Sequence, residues 1–182
     1  GPPGTGKTTV ALSLAATITS GGRWPDGTQA AAGDVVIWSG EDGIADTLVP
    51  RLAVAGADLR RVHFVRNVTA SGSRRPFDPA SDTPALALAL TELGVSPALL
   101  IVDPISSAVA GDSHKNTETR RSLQPLVDLA DRLGCAVLGI SHFSKGTAGR
   151  DPVERVTGSI AFGALARLVL ATVKTTTGDG LP

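Results

Sequence analysis

Cysteine is almost absent from this sequence: the one thiol, Cys135, lies inside the apolar run CAVLGI. A lone cysteine excludes an intrachain disulfide and a cysteine-built metal cluster, fits a reducing compartment, and in these surroundings is assigned to core packing. Aromatic side chains are scarce too. Two tryptophans and four phenylalanines make up the whole complement, which gives little sign of base stacking. Net charge is missing altogether, because seventeen basic side chains cancel seventeen acidic ones. The broad basic field of a nucleic-acid binder is therefore absent, and any such contact has to come from local loops or an assembled surface. No run of eighteen apolar residues and no basic-then-apolar leader occurs, so the expectation is a cytoplasmic protein with no membrane partner.

What is present is one domain's worth of chain, 182 residues, with 42 % hydrophobic content and 21 glycines, enough to bury a real core. Val10, Leu14 and Ile18 recur at four-residue spacing and predict a helix that stops at Gly21 and Gly22. The run VVIW at 35–38, rich in β-branched residues and bounded by glycines, reads as a strand buried on both faces. Further strands are expected at 62–65 (VHFV), 98–103 (ALLIVD), 135–141 (CAVLGIS) and 168–173 (LVLATV). Between them lie helical patterns around Ile44–Leu52, where Pro50 predicts a kink or restart, over 82–93, and across Leu123, Leu126, Ala130 and Leu133 up to Gly134. Residues 66–81 read as irregular. Strands alternating with helices predict an α/β fold with a mostly parallel sheet and helices on both faces.

The opening residues GPPGTGKT match the pattern G-x-x-x-x-G-K-[ST] at every fixed position and precede an amphipathic helix, as a phosphate-binding loop requires. Glycines let successive backbone N–H groups converge on phosphate oxygens, and the helix amino end adds a favourable dipole. The candidate nucleotide contacts are Gly1, Pro2, Pro3, Gly4, Thr5, Gly6, Lys7, Thr8 and Thr9. Lys7 is expected to reach the β and γ phosphates of ATP, and the Thr8 hydroxyl to ligate Mg²⁺. Such a loop normally follows a buried strand and none precedes Gly1, so the chain reads as a domain of residues 1–182 truncated at both ends.

A magnesium site of this kind needs a carboxylate at the end of a neighbouring buried strand, and Leu99–Val102 deliver Asp103 to that edge. Asp103 before Pro104 also suits a simple turn. In SGED at 39–42, Glu41 emerges at the same edge as a candidate general base, with Asp42 a less favoured substitute; both acids equally suit the start of a helix near Gly43. His142, directly after CAVLGIS, is placed to sense a γ phosphate, with Ser141 as runner-up. Arg167 opens the last expected strand between apolar residues, and a buried arginine needs a partner: a phosphate, in its own or a neighbouring subunit, or an acid. His63 and His114 have no comparable placement.

The order of these motifs, GPPGTGKTT, WSGED, ALLIVDPISS, GISHFSK and VTGSIAFGALARLVL, resembles the RecA-type P-loop ATPases of the AAA family. Within that family it is similar to the group of hexameric RepA replicative helicases, and more distantly to the DnaB, KaiC and RadA cores. The resemblance spans essentially the whole chain. It implies a catalytic Glu41, a phosphate-sensing His142, and an Arg167 that serves the neighbouring subunit. It further implies a homo-oligomeric ring, a hexamer in that group, with nucleotide at subunit interfaces. Two loops would face single-stranded DNA in the pore, 105–118 with Lys115 and 143–157 with Lys145, Arg150 and Arg155; Phe143 is the sole aromatic residue in them. The implied activity is Mg-dependent ATP hydrolysis that drives translocation on single-stranded DNA. A KaiC-like assembly gated by ATP and a kinase built on the same loop are the alternatives, separated by DNA-stimulated turnover and by the phosphoryl acceptor.

Overall fold

The computed structural model describes residues 4–70, 72–110, 115–143, 155 and 161–173. In chain order the elements are α1 (Lys7–Ser20), β1 (Asp34–Ser39), α2 (Val49–Val54), β2 (Val62–Phe64), β3 (Asn67–Ala70), β4 (Ser73–Pro76), α3 (Thr83–Glu92), β5 (Pro97–Asp103), α4 (Asn116–Leu133), β6 (Ala136–Gly139) and α5 (Ala161–Leu165). Four of the strands form one parallel sheet in the order β2-β1-β5-β6.

The continuous apolar runs of β1 and β5 follow from burial on two sides, since successive side chains of a strand point to opposite faces. Val35, Ile37, Leu99 and Ile101 face one way, under Ala11, Leu12 and Ala15 of α1 and under Leu48 and Leu52. Val36, Trp38, Leu100 and Val102 face the other way, under Leu86 and Leu90 of α3, Leu123, Leu126 and Leu129 of α4, and Phe162 of α5. Helices thus cover both faces of a parallel sheet, which is the α/β arrangement the sequence pattern predicts.

Pro50 has a specific local effect. It lacks an N–H and its ring crowds the carbonyl four residues back, so a regular helix cannot run through it. The chain answers with a π turn over Ile44–Leu48, in which Leu48 N donates to Gly43 O at 3.0 Å, before α2 begins at Val49. The wider turn relieves the crowding and shifts the angular position of everything after it.

Two expectations are corrected. Residues 66–81 are not irregular throughout: β3 and β4 pair antiparallel, from Asn67 opposite Pro76 to Ala70 opposite Ser73. This hairpin is anchored by a fork, Arg75 Nη1 to Asp82 Oδ2 at 2.6 Å and Nη2 to Oδ1 at 2.7 Å, with Asp78 N donating to the same carboxylate at 2.8 Å. The Arg75 bond holds the Asp82 carboxyl below its usual range. The expected strand at 168–173 does not form. Leu168, Leu170 and Val173 are 73 %, 62 % and 63 % exposed, and no ladder partner faces them among the described residues. β-branched composition becomes a strand only where a neighbour supplies the hydrogen bonds. Arg167, expected to be buried at the start of that strand, is consequently exposed just beyond α5. No helix among the described residues is long and apolar enough to cross a membrane.

Two stability measurements check this account. Leu129 is fully buried and Leu88 is 60 % exposed; Leu129→Ala should cost about 2–5 kcal/mol in urea unfolding, and Leu88→Ala less than about 1 kcal/mol. Because the folded-state pKa of Asp82 is depressed, its contribution is present above the ordinary carboxylate value and lost as pH falls through the folded one. Asp82→Asn should therefore lower the unfolding midpoint at pH 7 and flatten the loss of stability below about pH 4.

Candidate active site

The carboxyl ends of three adjacent parallel strands define one edge of the sheet, where open α/β folds gather ligands. Ser39 at the end of β1 pairs with Asp103 at the end of β5, and Val102 pairs with Gly139 at the end of β6. Two backbone bonds extend this register past the strands, Gly40 N to Asp103 O at 2.8 Å and Ile140 N to Val102 O at 2.9 Å. Glu41, Asp103 and His142 therefore leave the sheet side by side. Gly40 is needed where it stands, since a Cβ there would lie 2.9 Å from the Trp38 ring.

Against this edge stands the amino end of α1. Gly6 has φ 82°, a left-handed conformation that admits glycine readily, and it turns the chain into the helix at Lys7. No side chain caps this end, so its first N–H groups face the site as donors for an anion. Lys7, Thr8 and Thr9 are the first three helical residues. The Thr8 hydroxyl donates to Asp103 Oδ2 at 3.1 Å across 95 residues of sequence, which brings the glycine-rich loop and the acid of ALLIVD into contact.

Asp103 is 3 % exposed, and its Oδ1 is buried with no hydrogen-bond partner among the described residues. Burial pushes its carboxyl above the ordinary value; Glu41 and Asp42 push the same way, while the Thr8 bond and His142 oppose. Burial also lowers the Lys7 ammonium, against the pull of Asp103 and Glu41. A hydroxyl and a carboxylate with an unsatisfied oxygen are the hard oxygen donors that Mg²⁺ takes, so these residues fit the ion. Among the described residues no group of three or more His, Cys, Asp and Glu could hold a metal ion without such help.

The SGED loop is shaped by Ser39, whose hydroxyl accepts from Glu41 N at 3.3 Å and Asp42 N at 3.0 Å. Glu41 Oε1 lies 3.5 Å from His142 Nε2, both side chains being partly exposed. Neither acid caps the following helix with its side chain: the capping position is Gly43, with no side-chain hydrogen bond. Asp42 instead faces Arg51, at 3.8 Å. Ser141, the alternative to His142, turns its hydroxyl onto the His142 carbonyl at 3.3 Å.

Lys7, Thr8, Glu41, Asp103 and His142 thus share one edge, with Thr9 beside them. Gly1, Pro2 and Pro3 lie outside the described residues. Thr5 Oγ1 is hydrogen-bonded to Thr172 Oγ1 at 2.7 Å, so the segment after Arg167 runs past the loop although it forms no strand. No hydrogen bond or ion pair joins Arg167 to the cluster among the described residues. Of the two loops, 111–114 lie outside the described residues, while Lys115 Nζ meets Glu118 at 3.1 Å. Lys145 and Arg150 also fall outside them, and Arg155 stacks its guanidinium 4.1 Å from the centre of the Phe143 ring. Arg51 was not anticipated from the sequence: its Nη2 donates to Thr9 Oγ1 at 2.6 Å, a contact between residues 42 positions apart that no motif spacing announces.

A family model described as an AAA domain matches residues 1–148, which include Lys7, Glu41, Asp103 and His142 but not Arg167. No curated protein matches the chain.

Because the folded-state pKa of Asp103 is raised, its carboxyl favours folding below the ordinary carboxylate value, and that contribution is lost as pH rises through the raised one. At pH 7 Asp103→Asn should raise the unfolding midpoint of the nucleotide-free chain, opposite in sign to Asp82→Asn. Thermal unfolding of the two variants side by side checks this.

Proposed function

The chain belongs to the AAA domain family, and from that premise we propose that it binds ATP with magnesium and hydrolyses it at the edge where α1 meets β1, β5 and β6. The observation that carries the reading is the Thr8 to Asp103 hydrogen bond at 3.1 Å, since one bound nucleotide has to touch both groups.

The backbone N–H groups at the start of α1 receive the phosphates, and Lys7 places its charge against the β and γ groups. Thr8 and Asp103 would hold the cation, whose chemistry, when bound, would be charge withdrawal from the transferring phosphoryl group. Glu41 accepts the proton of the attacking water as its oxygen bonds to the γ phosphorus; the bond from that phosphorus to the β–γ bridging oxygen breaks, and ADP carries the electron pair away. His142, within 3.5 Å of Glu41, orients that carboxylate and reads the γ phosphate. Lys7, whose charge is disfavoured by burial, gains most from an incoming polyanion.

The finer reading extends this to a ring, a hexamer by family likeness, that moves single-stranded DNA. An exposed Arg167 suits a residue that reaches a neighbouring copy's phosphate rather than its own. The DNA-facing segments would be 105–118 and 143–157, with Lys115 and Arg155 among the described residues. With zero net charge, any contact with DNA has to come from such local loops or from an assembled surface.

Lys7→Ala should abolish heat of Mg-ATP binding in calorimetry. Glu41→Gln should bind Mg-ATP normally and lose about 100-fold or more in kcat. Wild-type turnover in Glu41→Gln would reject the base, and absence of Mg-ATP binding by the wild-type chain would reject the reading as a whole. Stimulation of turnover by single-stranded DNA distinguishes a motor from an assembly gated by nucleotide.

A further inference from the structure

We propose that Arg51 is a positioning residue for hydrolysis, tying the loop that carries Glu41 to the first turn of α1; the role rests on the hydrolase reading above. The argument starts from a closed circuit of contacts around the site. Thr8 donates to the Asp103 carboxylate, and the Asp103 carbonyl accepts from Gly40 N. Ser39 Oγ accepts from the backbone of Glu41 and Asp42. Asp42 Oδ2 faces Arg51 Nη1 at 3.8 Å, and Arg51 Nη2 donates to Thr9 Oγ1 at 2.6 Å, one residue from where the circuit began.

The two halves of that circuit differ in kind. The half through Asp103 is anchored in the β1–β5 register by a buried carboxylate, although Thr8 is half-buried and Gly40 exposed. The half through Arg51 uses side chains about a third exposed, 39 % for Arg51 and 31 % for Asp42. An ion pair so placed adds little to folding stability. What it supplies is geometry: the planar guanidinium donates one hydrogen bond to Thr9 and sets its other nitrogen against the Asp42 carboxylate as an ion pair at 3.8 Å, a directional arrangement that a lysine reproduces poorly.

Arg51 reaches both partners because of the π turn at Ile44–Leu48. Were Ile44–Val54 a regular α-helix with the turn's extra residue removed, every position after it would rotate by about 100° around the axis. The proline that forces the wide turn, Pro50, is the residue directly before Arg51. Glu41, the neighbour of Asp42, is thereby held between His142 on one side and the Arg51 fork on the other.

The test measures steady-state ATP turnover, Mg-ATP affinity by calorimetry and the unfolding midpoint for the wild-type chain, Arg51→Ala, Arg51→Lys, Asp42→Ala and the double variant Asp42→Ala with Arg51→Ala. Expected for Arg51→Ala is a loss of about tenfold or more in kcat, with Kd for Mg-ATP within about threefold and the midpoint within about 3 °C. Arg51→Lys, which keeps one arm, should fall between. The double variant should lose no more than the worse single one, because both break the same link. Unchanged kcat in Arg51→Ala, a raised Kd with kcat kept, or losses that multiply in the double variant would each overturn the role while leaving the hydrolase reading standing. A wild-type chain that binds Mg-ATP without turning it over would overturn the hydrolase reading, and this role with it.

Discussion

Asp103 is a carboxylate closed in at the end of a strand that the core covers on both faces, and most of the site's organisation follows from how that burial is tolerated. Leu100 and Val102 are packed under α3 and α4, Leu99 and Ile101 under α1. A strand held so firmly places its last residue with little freedom, and the acid cannot turn away to water. One oxygen takes the Thr8 hydroxyl; the other has no hydrogen-bond partner among the described residues. A buried polar atom in that condition destabilises the fold unless something else satisfies it. At Asp103 the fold accepts that cost at the edge where the glycine-rich turn and two other strand ends also arrive.

The electrostatics of the cluster lean the same way. Burial works against the charged forms of both Lys7 and Asp103, the first lowered and the second raised, although the Asp103 charge favours that of Lys7. Groups in this state respond strongly to an added charge nearby. Under the proposed function, a polyphosphate would meet the half-buried Lys7 and the amino end of α1, and a divalent cation would meet the buried Asp103, so each would relieve the penalty on a different group.

The parts of this architecture that were legible in the sequence are those whose cause is local. VVIW and ALLIVD announce strands covered on both faces because both kinds of position have to be apolar. GPPGTGKT announces its turn because only glycine adopts the φ found at Gly6 and Gly4 without strain. The hairpin of β3 and β4 has no local signature because Ser73–Pro76 is exposed along its length and carries no alternation; its anchor, the fork from Arg75 in β4 to Asp82, reaches beyond the hairpin. LVLATV shows the opposite case: it has the composition of a strand but no ladder partner among the described residues. Arg167 went with it, from an expected buried place to an exposed one. Arg51 was illegible for a third reason: its contacts depend on a π turn, and a single residue of helical register decides whether it reaches Thr9.

These differences separate two kinds of anchoring within the candidate site. Lys7, Thr8 and Asp103 are placed by the helix start and by the buried sheet, so binding geometry is as firm as the fold. Glu41 leaves the sheet one residue after Gly40 and is held by Ser39, His142 and, through its neighbour, by Arg51, on side chains that remain partly open to solvent. Weak, exposed contacts rearrange without disturbing a core. If Glu41 is the base of the proposed hydrolysis, small changes at the surface would bring it into line or release it without disturbing the groups proposed to bind the nucleotide, because the two sets are anchored to parts of the protein that differ in burial.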